Sequence, residues 1–322
     1  MRSPATALPT RRIGEGAGAL DVSVVGLGCN NFGWRLGLDG TRAVLDAALG
    51  AGITFLDTAD VYGGAGGSES MIGEVLEGRR GEFLVATKFG MDMGEGAPAL
   101  PRGCRDYIRW AVEGSLRRLR VETIDLYQYH VPDGLTPLAE TLAALDELVA
   151  EGLVRWIGCS NFNAAELEEA EAAARDRGGA RFVSLQNDYS LLERSIEAEV
   201  QPACERLGVA ILPYFPLASG LLSGKYRRDE EPPSGARLRG RETVGTDAHF
   251  DVIEALAGFA SARGIEPIDV AIGALAAQPQ VASVIAGATR PEQVEANVAA
   301  ARWQASAEDL AEIDRIAPTP RH

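Results

Sequence analysis

Four residues whose side chains can hold or transfer a proton lie at the ends of three successive apolar runs. Asp57 closes the apolar part of "ITFLDTA", and Tyr62 follows it in the next turn. Lys88 lies near the end of "FLVATKF", and His130 ends "IDLYQYH". Such residues could supply a proton to an oxygen that is becoming an alkoxide, as happens when a carbonyl group is reduced.

Each residue type has a physical role in that reaction. A free phenol has a pKa of about 10 and is a reluctant acid, and an ammonium beside Tyr62 would lower that pKa. Asp57 would keep Lys88 charged and in place, since an unpaired buried ammonium tends to lose its proton. His130 would orient the carbonyl oxygen. We therefore expect Tyr62 to be the proton donor.

The same residues also have ordinary structural interpretations when taken singly. Asp57 would suit a helix cap, Lys88 a solvated strand end, His130 a packed histidine and Tyr62 a packed aromatic. Their placement at successive strand ends favours one shared site. Asp60 has no catalytic role in this hypothesis, and we expect a turn residue there.

The elements that must position these residues are eight short apolar runs that alternate with helical patterns. The runs are "VSVVGLG", "ITFLDTA", "FLVATKF", "IDLYQYH", "VRWIGCS", "FVSLQND", "VAILPYF" and "VASVIAG". This alternation predicts an α/β fold, a (β/α)8 TIM barrel, whose active site lies at the C-terminal strand ends. We expect one domain over residues 1–322, with a lead-in at 1–20 and a long polar loop at 223–249.

Seven stretches in this order resemble the aldo-keto reductase superfamily, in its bacterial and potassium-channel beta-subunit-like branches. They are "FLDTADVYG", "ATKFG", "LYQYH", "GCSNF", "LQNDYS", "PYFPLASGLLSGKY" and "IAGATRPEQVEAN". The resemblance spans roughly Ser23 to Asn297 and implies a barrel that binds NADP(H) without a Rossmann fold. It also implies that Asp57, Tyr62, Lys88 and His130 form the catalytic tetrad.

The resemblance implies cofactor-binding residues as well. Ser160, Asn161 and Gln186 would hydrogen-bond the nicotinamide carboxamide, which needs donors and acceptors, and Tyr214 would stack on its ring. The segment around the pyrophosphate would comprise Leu217, Ser219, Gly220, Leu222 and Lys225. We expect the 223–249 loop to lie over the cofactor.

A further group of residues surrounds a helix that opens at Pro291. Gly287, Thr289 and Arg290 would bind the adenosine 2′-phosphate, because free N–H groups, a hydroxyl and a guanidinium converge there. Arg290 favours NADPH over NADH. Gln293 and Asn297 match positions near the adenine.

Composition excludes several function classes. The 31 basic and 46 acidic residues give a net charge of −15, which repels nucleic acid and anionic lipid. Four separated cysteines and three histidines argue against a metal site or a disulfide framework. We expect a cytoplasmic protein with no metal, no nucleic-acid partner and no membrane association.

We expect the substrate to be a small-molecule carbonyl compound or a sugar, and we expect Trp34 to line its pocket. Two other functions fit the same residues. One is an NAD(P)-dependent dehydrogenase of a sugar or alcohol. The other is a regulatory protein that binds the cofactor as a redox sensor.

Overall fold

The computed structural model describes residues 8–241 and 244–319. In chain order the strands are β1 (Thr10–Ile13), β2 (Leu20–Ser23), β3 (Val25–Gly28), β4 (Phe55–Asp57), β5 (Leu84–Phe89), β6 (Ile124–Tyr129), β7 (Val154–Ser160), β8 (Phe182–Gln186), β9 (Ala210–Ile211) and β10 (Val284–Gly287). The helices are α1 (Leu38–Ala51), α2 (Tyr62–Ala65), α3 (Gly67–Val75), α4 (Arg105–Leu119), α5 (Leu138–Ala150), α6 (Ala164–Arg177), α7 (Val200–Leu207), α8 (Asp247–Arg263), α9 (Pro267–Ala276), α10 (Pro291–Ala300) and α11 (Ala307–Ile316).

The eight strands β3 to β10 form one parallel sheet in the order β10-β3-β4-β5-β6-β7-β8-β9. Bridges of Ile211 to Val281 and of Tyr214 to Ile285 join its two ends. All eight predicted strands are present, and the (β/α)8 barrel is confirmed.

Register decides which side chains face the barrel interior. Lys88 on β5 pairs with Gln128 on β6, so the two lie at one level of the sheet. The alternating neighbours point to the helical layer, where the Phe89 ring stacks 4.9 Å from Tyr127 and 5.0 Å from Tyr129. Polar residues of the site are thereby separated from the apolar helix-facing layer.

The predicted lead-in at 1–20 contains a hairpin that the sequence did not indicate. Strands β1 and β2 pair antiparallel, and Ile13 and Leu20 pack with Phe55 in one apolar cluster. The Arg11 guanidinium donates to the carbonyl oxygens of Ala276 at 2.6 Å and Gln278 at 2.8 Å. The hairpin therefore covers the end of the barrel opposite the C-terminal strand ends, while residues 1–7 lie outside the described residues.

The predicted 223–249 loop is shorter at both ends. A 3-10 helix extends to Ser223, and α8 begins at Asp247 with Thr246 as its N-cap. The connecting segment is therefore 224–246, of which residues 242 and 243 lie outside the described part. Over the described residues, we find no helix with both the length and the apolar composition needed to cross a bilayer.

Candidate active site

A buried ion pair lies at the centre of the predicted tetrad. Lys88 is 0% exposed, and its Nζ donates to Asp57 Oδ2 at 2.7 Å and to the Thr58 carbonyl oxygen at 2.9 Å. Asp57 Oδ1 accepts from Gln186 Nε2 at 2.7 Å and from Gln128 Nε2 at 3.2 Å. Hydrogen-bond donors on β5, β6 and β8 therefore hold the Asp57 carboxylate in place. A buried charge is stable only when it is paired and hydrogen-bonded in this way.

Lys88 is held as an ammonium. Burial by itself lowers the pKa of Lys88, but Asp57 and Tyr62 raise it, and the resulting pKa lies above the usual 10.5. Its Nζ is 5.1 Å from the centroid of the Tyr62 ring. The site thus presents a permanent positive charge to the phenol.

Tyr62 is a neutral phenol in this environment. Burial raises the pKa of Tyr62 above the usual 10.0, and Lys88 lowers it by less than burial raises it. The sequence predicted a lowered pKa because it took account of Lys88 and not of desolvation. The group therefore carries a proton at neutral pH and can donate it.

The turn that carries Tyr62 requires glycine. Gly63 has φ 71°, and a Cβ there would lie 2.5 Å from the Phe32 carbonyl oxygen. Ser68 Oγ lies 2.8 Å from Thr58 Oγ1 and donates to the Cys29 carbonyl oxygen at 2.8 Å. Close backbone approach and these hydrogen bonds fix the turn against β3 and β4.

His130 faces the Tyr62 ring edge to face, with the ring centroids 5.9 Å apart and the planes at 84°. Burial, followed by the charge of Lys88, lowers the pKa of His130 to about 3. Its Nδ1 is buried without a hydrogen-bond partner among the described residues. A neutral imidazole therefore lies beside the phenol.

A hydrogen-bond chain connects His130 to the predicted nicotinamide residues. Asn161 Nδ2 donates to the His130 carbonyl oxygen at 2.9 Å, and Asn161 Oδ1 accepts from the Tyr214 hydroxyl at 2.8 Å. Ser160 Oγ donates to the Gln186 carbonyl oxygen at 2.7 Å. These four predicted residues therefore form a hydrogen-bonded chain that reaches the backbone of His130.

A cavity of about 580 Å³ opens at this end of the barrel. Three tetrad members and most predicted cofactor residues line it: Asp57, Tyr62, His130, Asn161, Gln186, Tyr214, Leu217, Ser219, Gly220, Lys225, Gly287, Thr289, Gln293 and Asn297. Lys88, Ser160, Leu222, Arg290 and Trp34 are not among its described lining residues. Trp34 is 65% exposed, and Arg290 lies 3.8 Å from Glu292 on the surface.

The cavity also has lining residues that sequence reasoning missed. Arg35 lies in the loop after β3, and Arg237 lies in the 224–246 segment with its guanidinium 5.1 Å from the Phe215 ring. Met91, Val131 and Phe215 form apolar wall and are each 36–37% exposed. Val131 directly follows His130, and Phe215 directly follows Tyr214. Their position next to predicted site residues could have identified them as lining residues from the sequence.

Comparison with known proteins gives one consistent result. The Aldo/keto reductase family model matches residues 24–318. The chain is 32% identical over 318 residues to "Probable aldo-keto reductase 1" of Glycine max, covering 94% of this chain and 88% of that protein. It is 35% identical over 314 residues to "Uncharacterized oxidoreductase YrpG" of Bacillus subtilis (strain 168), covering 95% of each.

Two solved structures are similar over 98% of both chains. Aldo-keto reductase AKR11C1 from Bacillus halodurans, in its holo form, matches with a TM-score of 0.79 and 32% identity. An aldo/keto reductase from Klebsiella pneumoniae, in complex with NADP and acetate, matches with a TM-score of 0.74 and 29% identity.

The buried ion pair generates a stability prediction. Lys88→Met should lower the free energy of unfolding by about 3–5 kcal/mol, because it leaves the Asp57 charge buried without its partner. The double variant Lys88→Met/Asp57→Asn should lose less than Lys88→Met alone. Urea unfolding followed by circular dichroism measures both.

The chain offers a matched control, since Lys225 is its only other lysine. Lys225→Met should change the free energy of unfolding little, because that residue is exposed. A double variant as unstable as the sum of its two single variants would contradict the coupling of Lys88 to Asp57.

Proposed function

The chain belongs to the aldo/keto reductase family, and from this premise we propose that it uses NADPH to reduce an aldehyde or ketone to an alcohol, with Tyr62 as proton donor. Family membership makes the protein an oxidoreductase. The observation that carries the finer proposal is the fully buried Lys88 ammonium, held by Asp57 beside the Tyr62 phenol and beneath the cavity.

The cavity suits an anionic dinucleotide. Arg35, Lys225 and Arg237 line it in a chain of net charge −15. Burial, together with the positive charges of Arg290 and Arg35, lowers the pKa of Lys225. Because these cavity-lining cations repel one another, they favour the binding of a ligand with several negative charges. The complex of the Klebsiella pneumoniae relative with NADP supports the same cofactor.

Different parts of the wall would hold different parts of NADPH. We assign the carboxamide to Ser160, Asn161 and Gln186, and the nicotinamide ring to Tyr214. The pyrophosphate is assigned to the segment of Leu217, Ser219, Gly220, Leu222 and Lys225. The 2′-phosphate and adenine are assigned to Gly287, Thr289, Arg290, Gln293 and Asn297. Ser160 would act partly through Gln186, since its hydroxyl already donates to that residue's carbonyl oxygen.

The reaction follows from the protonation states. When bound, NADPH supplies the hydride that adds to the carbonyl carbon. Tyr62 donates its proton to the carbonyl oxygen, and Lys88 stabilises the phenolate that remains. Neutral His130 orients that oxygen through a hydrogen bond. Asp57 keeps the ammonium in place throughout.

The substrate part of the cavity is apolar. Met91, Val131 and Phe215 come from three separate loops, line the cavity and are each 36–37% exposed. Each would gain stability by covering an apolar group of a ligand. We therefore propose an aldehyde or ketone with an alkyl or aromatic substituent in preference to a sugar.

Tyr62→Phe tests the proton donor. Loss of the hydroxyl should lower kcat by about 10²- to 10⁴-fold, the usual contribution of general acid catalysis, and leave NADPH affinity nearly unchanged. Steady-state oxidation of NADPH and fluorescence titration measure the two quantities. Tyr189→Phe is the control, because that buried hydroxyl donates to Glu197 and does not belong to the cavity wall. A retained kcat in Tyr62→Phe would refute the assignment.

Arg290→Ala tests the cofactor. Loss of the guanidinium should weaken NADPH binding about tenfold, the lower end for a hydrogen bond to a charged group, and leave NADH binding unchanged. Arg302→Ala removes an exposed arginine just after the same helix and should change neither. Equal losses for both cofactors, or tighter NADH binding by the unmodified protein, would favour an NAD-dependent dehydrogenase. Tight NADPH binding without turnover of any carbonyl compound would favour the redox sensor.

Val131→Asn tests the apolar wall. The unmodified enzyme should have a higher kcat/KM for benzaldehyde than for an aldose. The variant should lose about tenfold in kcat/KM for benzaldehyde, the effect of exposing one apolar side-chain contact, and little for acetaldehyde. Leu135→Asn changes a 75% exposed leucine of the same loop and serves as the control. Preference for the aldose would contradict the substrate class.

A further inference from the structure

Asp60 is the most unusual buried group outside the tetrad. Its side chain is 0% exposed, and neither carboxyl oxygen has a hydrogen-bond partner among the described residues. A buried carboxylate without partners is costly, whereas a neutral carboxylic acid costs much less. Asp60 lies in a turn, as the sequence predicts, but turn residues are ordinarily exposed to water and this one is fully buried.

The backbone of Asp60 connects it directly to the catalytic residues. Its N–H donates to the Lys88 carbonyl oxygen at 3.0 Å, which extends the pairing of β4 with β5 beyond Asp57. Two residues later, the Tyr62 N–H donates to the Ala59 carbonyl oxygen at 3.2 Å. A displacement at Asp60 therefore moves the residue that carries the phenol.

The Asp60 carboxyl lies in a buried layer of titratable groups between the barrel and its helices. Charged and titratable groups from each packed element influence this layer: Lys88 on β5, Tyr127 on β6, Glu69 on α3, and Tyr107 and Arg118 on α4. Glu69 is fully buried, accepts from Thr87 Oγ1 at 2.5 Å and pairs with Arg118 Nε at 2.7 Å. The charge of Arg118 therefore acts on both carboxyl groups, but its ion pair is with Glu69.

Arg118 also packs directly under the Tyr62 turn. Gly66 has φ 100°, and a Cβ there would lie 2.3 Å from Arg118 Cδ. The arginine side chain therefore lies directly against the backbone of this turn. A change of partner by Arg118 would alter the packing beneath the turn.

We propose that Asp60 is a positioning residue that acts as a proton-linked switch on the Tyr62 turn. As a neutral acid it leaves Arg118 paired with Glu69 and the turn in place. Ionised, it draws Arg118 away from Glu69 and displaces the turn, so turnover is lost reversibly at alkaline pH. The effect on turnover rests on the proposed reductase function. The protonation of Asp60 and the displacement of the Tyr62 turn do not depend on that function.

The direction of the pH dependence follows from the environment of Asp60. Burial, followed by Glu69, raises the pKa of Asp60 to about 8, against the smaller lowering effects of Arg118 and Lys88. The folded pKa lies above the unfolded one, so the stabilising neutral form is present below pH 8 and lost as the pH rises through it. The pKa of Tyr62 is above 10, so its own titration lies at higher pH.

Asp60→Asn is the direct test, because the amide is a neutral isostere of the acid. With NADPH and benzaldehyde, kcat of the unmodified enzyme should fall with a midpoint near pH 8 and recover on return to pH 7. In Asp60→Asn the fall should shift upward by at least one pH unit. Asp106→Asn, which changes an exposed aspartate of α4, should follow the unmodified profile. Coincident profiles for the unmodified enzyme and Asp60→Asn would overturn the proposal.

Hydrogen exchange of the peptide covering 61–68 tests the movement without any substrate. After correction for the intrinsic effect of pH, exchange should rise between pH 7 and pH 9 in the unmodified protein and stay constant in Asp60→Asn. If neither protein reduces any carbonyl compound but this difference appears, the proposed function fails and the switch stands. Equal exchange in both proteins overturns the switch.

Infrared spectroscopy of the unmodified protein covers the case in which Asp60→Asn does not fold. The C=O stretch of a protonated carboxylic acid should be present at pH 7 and disappear by pH 9. Asp188 does not interfere, because burial and Glu193 raise its pKa only to about 6. Absence of the band at pH 7 would overturn the proposal.

Discussion

The ion pair between Asp57 and Lys88 places a buried positive charge at the centre of the site. The cost of desolvating the two charges is offset because both Asp57 carboxylate oxygens accept hydrogen bonds. Lys88 Nζ donates to one oxygen, and the side-chain amides of Gln186 and Gln128 donate to the other. Burial, followed by the charge of this ammonium, lowers the pKa of His130, and the ammonium limits the rise that burial imposes on the pKa of Tyr62. Both groups are uncharged at neutral pH, so the phenol retains the proton that a proton donor needs.

Gln186 connects this pair to the cavity. One of its amide N–H groups is committed to Asp57, its backbone carbonyl accepts from Ser160, and its side chain lines the cavity. The position of the ion pair would therefore affect how a ligand binds to Gln186. A ligand bound to Gln186 would in turn affect the position of the ion pair. This linkage joins the residues that we assign to the nicotinamide to Asp57 and Lys88 in one hydrogen-bonded network.

Much of this arrangement could be predicted from sequence, because its causes are local. Apolar runs such as "FLVATKF" give the strands, and a parallel barrel brings their C-terminal ends together whatever the loops do. Contacts between distant segments could not be predicted. Arg11 in the hairpin contacts carbonyl groups more than 260 residues away, and Arg237 reaches the cavity from a segment without periodicity. The protonation of Tyr62 and Asp60 was also inaccessible, since desolvation depends on packing and residue types alone do not reveal it.

Charge distribution reconciles an acidic chain with an anionic cofactor. A net charge of −15 repels NADPH at long range, but at physiological salt such repulsion is screened over about 8 Å. Only the charges near the mouth then act on the ligand, and there Arg35, Lys225 and Arg237 collect. Burial, followed by Arg35 and Arg241, lowers the pKa of Arg237, so these cations repel one another in the free protein. An anion that enters the cavity relieves that repulsion. The relief of repulsion among the cations therefore contributes to the free energy of anion binding.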